Sequence, residues 1–82
     1  MKNKIIITPY QCKAARELLR WNQKDLSRIS KIGTATLANF EKDKIELRIG
    51  TLEKIISAFH EHGIRFENNE NEFAVRLLKK NK

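Results

Sequence analysis

The spacing of apolar residues along the chain changes from a helical period to a strand period near residue 64. Before that point, apolar positions recur at three- and four-residue intervals, as in Leu52, Ile55 and Phe59. This spacing places apolar side chains on one face of a helix. After it, apolar and polar residues alternate around a polar turn at residues 68–71, and alternation is typical of a strand with one buried face. The pattern predicts a mainly α chain that ends in a β-hairpin.

Capping residues divide the helical part into four helices. Thr8 and Pro9 indicate a helix start, because a hydroxyl group can cap free amides and proline fits the first helical position. Asn22 can cap the second helix, and Gly63 is suited to end the fourth. The predicted helices span residues 9–21, 23–30, 34–42 and 51–62, and the predicted strands span residues 64–67 and 72–78.

The second and third predicted helices form the most informative unit of the chain. A turn of three residues, Lys31 to Gly33, separates them, which is the turn length of a helix-turn-helix. The third helix opens with small uncharged residues, capped by Gly33 or Thr34, and cations follow it. In a helix-turn-helix, the second helix of the pair lies in the major groove of DNA. Apolar residues occupy the positions where these two helices must pack, namely Leu26, Ile32, Leu37 and Phe40.

Charge and composition are compatible with a nucleic-acid partner. The chain of 82 residues has a net charge of +7 and a pI near 9.9. The excess of Lys and Arg lies in residues 1–56, which include the candidate motif. A basic domain attracts polyanions, although the same lysines could serve only to keep a small domain in solution. A length of 82 residues predicts a single domain, residues 1–82.

Other function classes find little support in the sequence. A single cysteine, Cys12, excludes an internal disulfide framework, and the apolar run Ile5–Ile7 is too short for a signal peptide or a membrane span. We therefore expect a cytoplasmic protein with no membrane partner. His60 and His62 are two residues apart on a helix and point in different directions, so no metal site is expected. The sequence has no recognisable nucleophile–base set and no glycine-rich phosphate loop, so we expect neither enzymatic activity nor a cofactor.

Several further residues carry a family resemblance. Gln23 opens the second helix, Arg16 lies in the first helix, and Glu41 ends the third. With these residues the chain resembles the Cro/repressor-type helix-turn-helix family, the XRE-like regulators, over most of residues 8–63. The resemblance implies a four-helix lambda-repressor-like helix-turn-helix domain and a structural ion pair between Arg16 and Glu41. Short relatives in this family also end in a similar hairpin, which extends the resemblance to the segments 63–66 and 75–77.

Three positions depart from the family pattern, and the first is Ser30, where the family often has alanine. Lys31 occupies the place of the family's turn glycine, where a left-handed backbone costs a residue with a Cβ about 1 kcal/mol. Gly33 replaces the usual serine or threonine cap. Glycine is an acceptable cap, but it lacks a hydroxyl group that could contact phosphate.

The resemblance also implies which residues contact DNA. Threonine and alanine methyl groups can pack on thymine methyl groups, and asparagine can pair with adenine. No Lys or Arg lies between Thr34 and Asn39, so we expect sites rich in A·T pairs. These positions could equally be ordinary solvent-facing residues of a helix. The predicted base contacts are Thr34, Ala35, Thr36, Ala38 and Asn39, and the predicted phosphate contacts are Gln23, Gly33, Lys42, Lys44 and Arg48.

Two interpretations of the partners stay open. The first is a transcriptional regulator, a repressor that binds double-stranded DNA as a homodimer on an inverted repeat. The hairpin could form the dimer by pairing strand edges, or its apolar residues Phe73, Val75 and Leu77 could only cover the helices. The second is a protein–protein module on the same scaffold, such as the antitoxin half of a toxin–antitoxin pair, because a fold alone does not determine function.

Overall fold

A computed structural model describes residues 6–79 and has four helices followed by a two-stranded antiparallel sheet. This arrangement confirms the predicted class and order of elements. Ile5, part of the apolar run near the start, lies outside the described residues. The elements are α1 (Pro9–Leu18), α2 (Gln23–Ser30), α3 (Thr34–Glu41), α4 (Ile49–Glu61), β1 (Ile64–Asn68) and β2 (Phe73–Leu77).

Two reciprocal hydrogen bonds between Thr8 and Gln11 cap the start of α1. The amide of Gln11 donates to Thr8 Oγ1 at 3.1 Å, and the amide of Thr8 donates to Gln11 Oε1 at 2.9 Å. This capping box satisfies two amides that have no partner within the helix. Asn22 and Asp25 form the same arrangement at the start of α2, so both helices begin where the sequence predicts.

The first helix ends three residues earlier than predicted. Its last residue is Leu18 rather than Trp21, because Arg20 adopts a left-handed backbone with φ of 61°. The amide of Trp21 then donates to Arg16 O at 2.8 Å, and that of Arg20 donates to Glu17 O at 3.1 Å. These two bonds are those of a Schellman motif. The chain turns back here, and the Trp21 ring stacks on Phe59 with ring centroids 5.7 Å apart.

The ends of α3 and α4 also differ from the prediction. Helix α3 ends at Glu41, and Lys42 is its cap, because Asp43 takes φ of 63°. Helix α4 begins at Ile49 rather than residue 51, with Arg48 as the cap. The prediction treated Gly50 as a boundary, but Gly50 lies within α4. Apart from its chain neighbours and the backbone of the helix, no atom lies within 4 Å of the position that a Cβ would take there. Helix α4 ends at Glu61, one residue before the predicted residue 62, with His62 as its cap, and Gly63 follows with φ of 96°.

Three of the four strand ends in the hairpin differ by one residue from the prediction. Strand β1 continues to Asn68, one residue further than predicted, and β2 spans residues 73–77 rather than 72–78. Glu72 belongs to the turn because its amide donates to Asn69 Oδ1 at 3.0 Å. The register pairs Ile64 with Leu77 and Phe66 with Val75.

The core lies between the helices and one side of the hairpin. Strand β1 packs on α4, and β2 packs on α1. Gln11 joins these layers, since its Nε2 donates to Asn68 Oδ1 at 2.6 Å and to Ala74 O at 3.1 Å. None of the helices in residues 6–79 has the length and apolar character needed to cross a bilayer. The buried apolar residues are Ile7, Cys12, Ala15, Leu26, Leu37, Phe40, Leu52, Ile55, Ala58, Phe59 and Ile64.

Candidate nucleic-acid interface

The turn between α2 and α3 is held by two hydrogen bonds. Lys31 has a left-handed backbone with φ of 67°, and its amide donates to Ser27 O at 2.8 Å. The buried hydroxyl of Ser30 accepts from the amide of Ile32 at 3.3 Å. Lys31 therefore adopts a left-handed backbone conformation that is easily accessible only to glycine. This strain costs the turn about 1 kcal/mol.

Helix α3 is fixed to the core by one face and open to solvent on the other. Leu37 and Phe40 are buried, and they set the rotation of the helix. Ala35 and Asn39 are exposed, and their i, i+4 spacing places them on one solvent-facing stripe. The stripe leaves this face of α3 free to enter a groove.

The remaining predicted base contacts differ in exposure. Thr34 is exposed at the first turn of α3, whereas Thr36 and Ala38 are only half-exposed on the flanks of the stripe. This difference follows from the helical period of 3.6 residues, which brings these two positions close to the buried face. The solvent-exposed stripe of α3 is therefore narrower than the set of base contacts predicted within residues 34–39.

The start of α3 presents free amides. Gly33 is the N-cap, with φ of −60° and ψ of 147°, and no side chain caps the helix. The first intrahelical bond runs from the amide of Leu37 to Gly33 O at 3.1 Å. The preceding amides therefore lack an intrahelical acceptor and point along the helix axis toward solvent, where an anion can bind.

Cations follow α3 along the segment to α4. Lys42, Lys44 and Arg48 are all exposed, so their charged groups can reach phosphates. Lys44 has a fixed backbone, since its amide donates to Asn39 O at 2.9 Å. This bond couples the position of Lys44 to the end of α3.

Gln23 has a different environment from the one that the sequence indicates. It is half-buried, and its Nε2 donates to Glu41 Oε1 at 3.0 Å. One donor of this amide is thus used inside the protein rather than presented to a phosphate. The contact joins the first residue of α2 to the last residue of α3.

Glu41 is the centre of a polar network that holds the helices together. Arg16 Nε donates to Glu41 Oε2 and Arg16 Nη2 donates to Glu41 Oε1, both at 2.7 Å. The two side chains are only 11% and 4% exposed. Arg16 Nη1 also donates to Trp21 O at 2.9 Å. The network thus connects α1, the loop after it, α2 and α3.

The electrostatics of this network favour an ionised Glu41. Burial by itself would raise the pKa of Glu41, but hydrogen bonds from Arg16, Gln23 and Cys12, with the charge of Arg16, outweigh it and hold the pKa below its usual range. Burial raises the pKa of the Cys12 thiol, and the charge of Glu41 raises it further. The thiol therefore stays protonated and can donate a hydrogen bond.

Cys12 is a member of the network that the sequence reasoning missed. Its Sγ donates to Glu41 Oε2 at 3.2 Å, whereas the apolar stripe indicates only a small core residue. The available signal was its position four residues before Arg16, which places both side chains on one side of α1.

The histidines at the end of α4 show no arrangement for metal binding. His62 is the C-cap, and its Nδ1 lies 2.9 Å from Ala58 O. In the part of the chain that the structure describes, no cluster of three His, Cys, Asp or Glu residues could hold a metal ion.

Comparison with known proteins identifies the unit that carries this geometry. A family model described as helix-turn-helix matches residues 13–62, from within α1 to the cap of α4. It represents the Cro/C1-type, XRE-family domain. No curated protein matches the chain closely enough to count as a relative. The match spans more than half of the 82 residues, and the chain belongs to the Cro/C1-type, XRE-like helix-turn-helix family of DNA-binding transcription regulators.

Proposed function

We propose that this protein binds specific sequences in double-stranded DNA as a dimer and represses transcription from the promoters it occupies. The observation that carries the proposal is the arrangement of α3. Its Leu37 and Phe40 face is buried, its Ala35 and Asn39 stripe is open, and free amides and cations flank the stripe. A helix held in this way can enter the major groove without rearranging.

Direct readout comes from the open face of α3. Asn39 pairs with the N6 and N7 edge of adenine, and the methyl group of Ala35 packs on a thymine methyl group. Thr34 contacts a base at the entrance to the groove, and the half-exposed Thr36 and Ala38 contribute at its walls. Because this face has no Lys or Arg, the preferred half-sites are rich in A·T pairs.

Phosphate contacts position the helix rather than specify bases. The amides after Gly33 bind one phosphate, aided by the dipole of α3. Lys42, Lys44 and Arg48 bind phosphates beyond the other end of the helix. Gln23 contributes its second amide hydrogen, while Glu41 holds the first and fixes the direction of the group.

Two copies of the domain occupy the two halves of an inverted repeat. In such a complex the symmetry of the protein matches that of the site, and the half-sites lie about one helical turn apart. RNA polymerase is excluded from the occupied promoter by steric overlap, which makes the protein a repressor.

The test is selection of bound sites from a random pool of duplex DNA. We expect enrichment of an A·T-rich inverted repeat, and affinity that falls steeply with salt because cations on the protein displace counterions. Ala35→Glu adds a negative charge to the exposed stripe of α3, so this variant should lose affinity for DNA. Glu53→Ala, which changes a charge on α4 instead, is the control and should keep it. Failure to enrich any site would contradict the proposal and favour the partner-module interpretation.

A further inference from the structure

The carboxylate of Glu41 is surrounded by hydrogen-bond donors on both oxygens. A carboxylate can accept about four hydrogen bonds, two at each oxygen. At Oε1 the donors are Arg16 Nη2 at 2.7 Å and Gln23 Nε2 at 3.0 Å. At Oε2 they are Arg16 Nε at 2.7 Å and Cys12 Sγ at 3.2 Å. Each oxygen therefore has two donors, and the acceptor capacity of the group is fully used.

The arginine and the two neutral donors act differently on this carboxylate. The fork of Arg16 binds both oxygens and fixes the plane of the group. Cys12 and Gln23 each bind one oxygen, the first from α1 and the second from α2. A shift of the carboxylate toward one of these donors lengthens the bond to the other. The thiol and the amide therefore hold Glu41 between them.

The thiol of Cys12 has a fixed position in the core. The residue is 0% exposed, and it lies on α1 four residues before Arg16. Burial, with the nearby charge of Glu41, raises the pKa of this thiol, so it stays protonated and can donate. Cys12 is thus a neutral donor that cannot follow Glu41 if the carboxylate moves.

Packing accounts for the size of residue 12 but not for its chemistry. An apolar side chain of similar volume would fill the same space and would leave Glu41 Oε2 with one donor fewer. The side chain of Glu41 is only 4% exposed, and a buried acceptor that loses its partner is destabilising. Cysteine combines a small apolar volume with a weak donor, which is what this position requires.

We propose that Cys12 is a positioning residue for DNA binding, which acts through Glu41 on Gln23. The thiol holds Glu41 in the orientation in which Oε1 accepts one amide hydrogen of Gln23, and the second amide hydrogen is then directed at a phosphate. The inference rests on the proposed function for that phosphate contact. It adds a buried residue that does not itself touch DNA.

This role has a specific signature in DNA binding. Gln23 contacts a phosphate rather than a base, and phosphate contacts carry no sequence information directly. Loss of the thiol donor should therefore weaken binding to all duplexes by the same factor. The thiol and the amide are both neutral, so the dependence of affinity on salt should stay as in the wild type.

The first test uses nuclear magnetic resonance on the protein without DNA. The chain has two glutamines, Gln11 and Gln23, so Gln23→Ala assigns their side-chain amide signals. In Cys12→Ala, the Gln23 signals should move toward those of a solvated amide, because the bond to Glu41 loosens. Ile64→Val is the control: it removes a methylene group from the same core and should leave the Gln23 signals in place.

The second test is a double-mutant cycle in DNA affinity, measured by fluorescence anisotropy. Cys12→Ala should weaken binding about threefold and Gln23→Ala about fivefold. The double variant should also lose about fivefold, because without Gln23 the thiol has no group to position. Cys12→Ser keeps a donor and should recover most of the affinity, whereas Ile64→Val should bind as the wild type does.

A further variant separates the donor from the cavity that alanine leaves. Cys12→Val retains the volume but has no donor, so it should lose about as much affinity as Cys12→Ala, roughly threefold. It also supplies the measurement if Cys12→Ala does not fold, which circular dichroism shows. Wild-type affinity and unchanged Gln23 signals in Cys12→Val would overturn the proposal.

Other results would also overturn it. A loss of about fifteenfold in the double variant would mean that the two residues act independently. An equal loss of affinity in Ile64→Val would assign the effect to core packing. If the Gln23 signals respond to Cys12→Ala but Gln23→Ala keeps full affinity, the phosphate contact is wrong and the role of Cys12 in DNA binding falls with it, while its hold on Glu41 stands.

Discussion

Arg16 and Glu41 form a bidentate ion pair, with both N···O distances at 2.7 Å, that joins α1 to the end of α3. Both side chains are nearly buried, so neither charge can be solvated if the other is removed. The pair therefore contributes to the position of α3 relative to the rest of the domain, as well as to stability.

Removal of one charge from this pair should destabilise the fold. We expect Glu41→Gln to lower the free energy of unfolding by about 3 kcal/mol, because it leaves the buried guanidinium of Arg16 without its counter-charge. Urea unfolding followed by circular dichroism measures this. The control is Arg28→Gln, which breaks an exposed pair with Asp25, 70% and 34% exposed, and should change stability by less than about 1 kcal/mol. Equal effects of the two substitutions would contradict the buried character of the pair.

The same pair predicts a dependence of stability on pH. The folded state lowers the pKa of Glu41, so its contribution is complete above the unfolded carboxyl pKa of about 4.3 and is lost as pH falls through the lower, folded value. Other carboxylates titrate in this range, so the informative quantity is the difference between wild type and Glu41→Gln. Urea titrations at pH 7, 5, 4 and 3 should show this difference constant at the first two values and smaller at the last. A difference that grows toward acid would oppose the assignment.

Cys12 should be unreactive in the folded protein. It is fully buried, and burial followed by the nearby carboxylate raises its pKa, so little thiolate is present to attack a reagent. Labelling with a thiol reagent at pH 8 should be at least about a thousandfold slower in buffer than in denaturant, as expected when reaction requires unfolding. An Arg76→Cys variant supplies the comparison, since its added thiol lies on an exposed strand position and should react quickly. Rapid labelling of native Cys12 would show that the network opens locally.

Lys31 offers a route to a more stable protein. Because its backbone is left-handed, Lys31→Gly should raise the free energy of unfolding by up to about 1 kcal/mol. The matched control is Lys54→Gly, an exposed position within α4, which should lower it by about 1 kcal/mol. Thermal and urea unfolding measure both. The opposite signs distinguish relief of strain from a general effect of removing lysine.

DNA contacts should separate into two kinds of behaviour. Asn39→Ala should cost about 1–3 kcal/mol at the selected site and relax preference at one base pair. Lys44→Ala should weaken binding to all sequences and reduce the slope of log affinity against log salt by about one.

Fluorescence anisotropy with a selected and a scrambled duplex, at several salt concentrations, distinguishes these effects. Arg76→Gln is the control cation, because the hairpin that carries it packs on α1 and α4. A uniform loss from Asn39→Ala across all duplexes would assign that residue to phosphate contact instead.

The sequence was sufficient to predict the elements of this fold and their order, because local chemistry determines them. The period of apolar residues identifies the helices and the hairpin, and capping residues such as Thr8 and Asn22 identify two of the helix starts. The three-residue turn before α3 identifies the helix-turn-helix. The family match over residues 13–62 agrees with what these short-range signals indicate.

Tertiary structure decided the features that depend on residues distant in the chain. Arg20 and Asp43 are not glycines, yet both turn left-handed and end their helices early, because the following segments must pack back on the core. Gln23 and Cys12 point to Glu41 only once three helices have assembled around it. Period and caps act over a few residues, whereas burial and charge pairing arise from the packing of the whole chain.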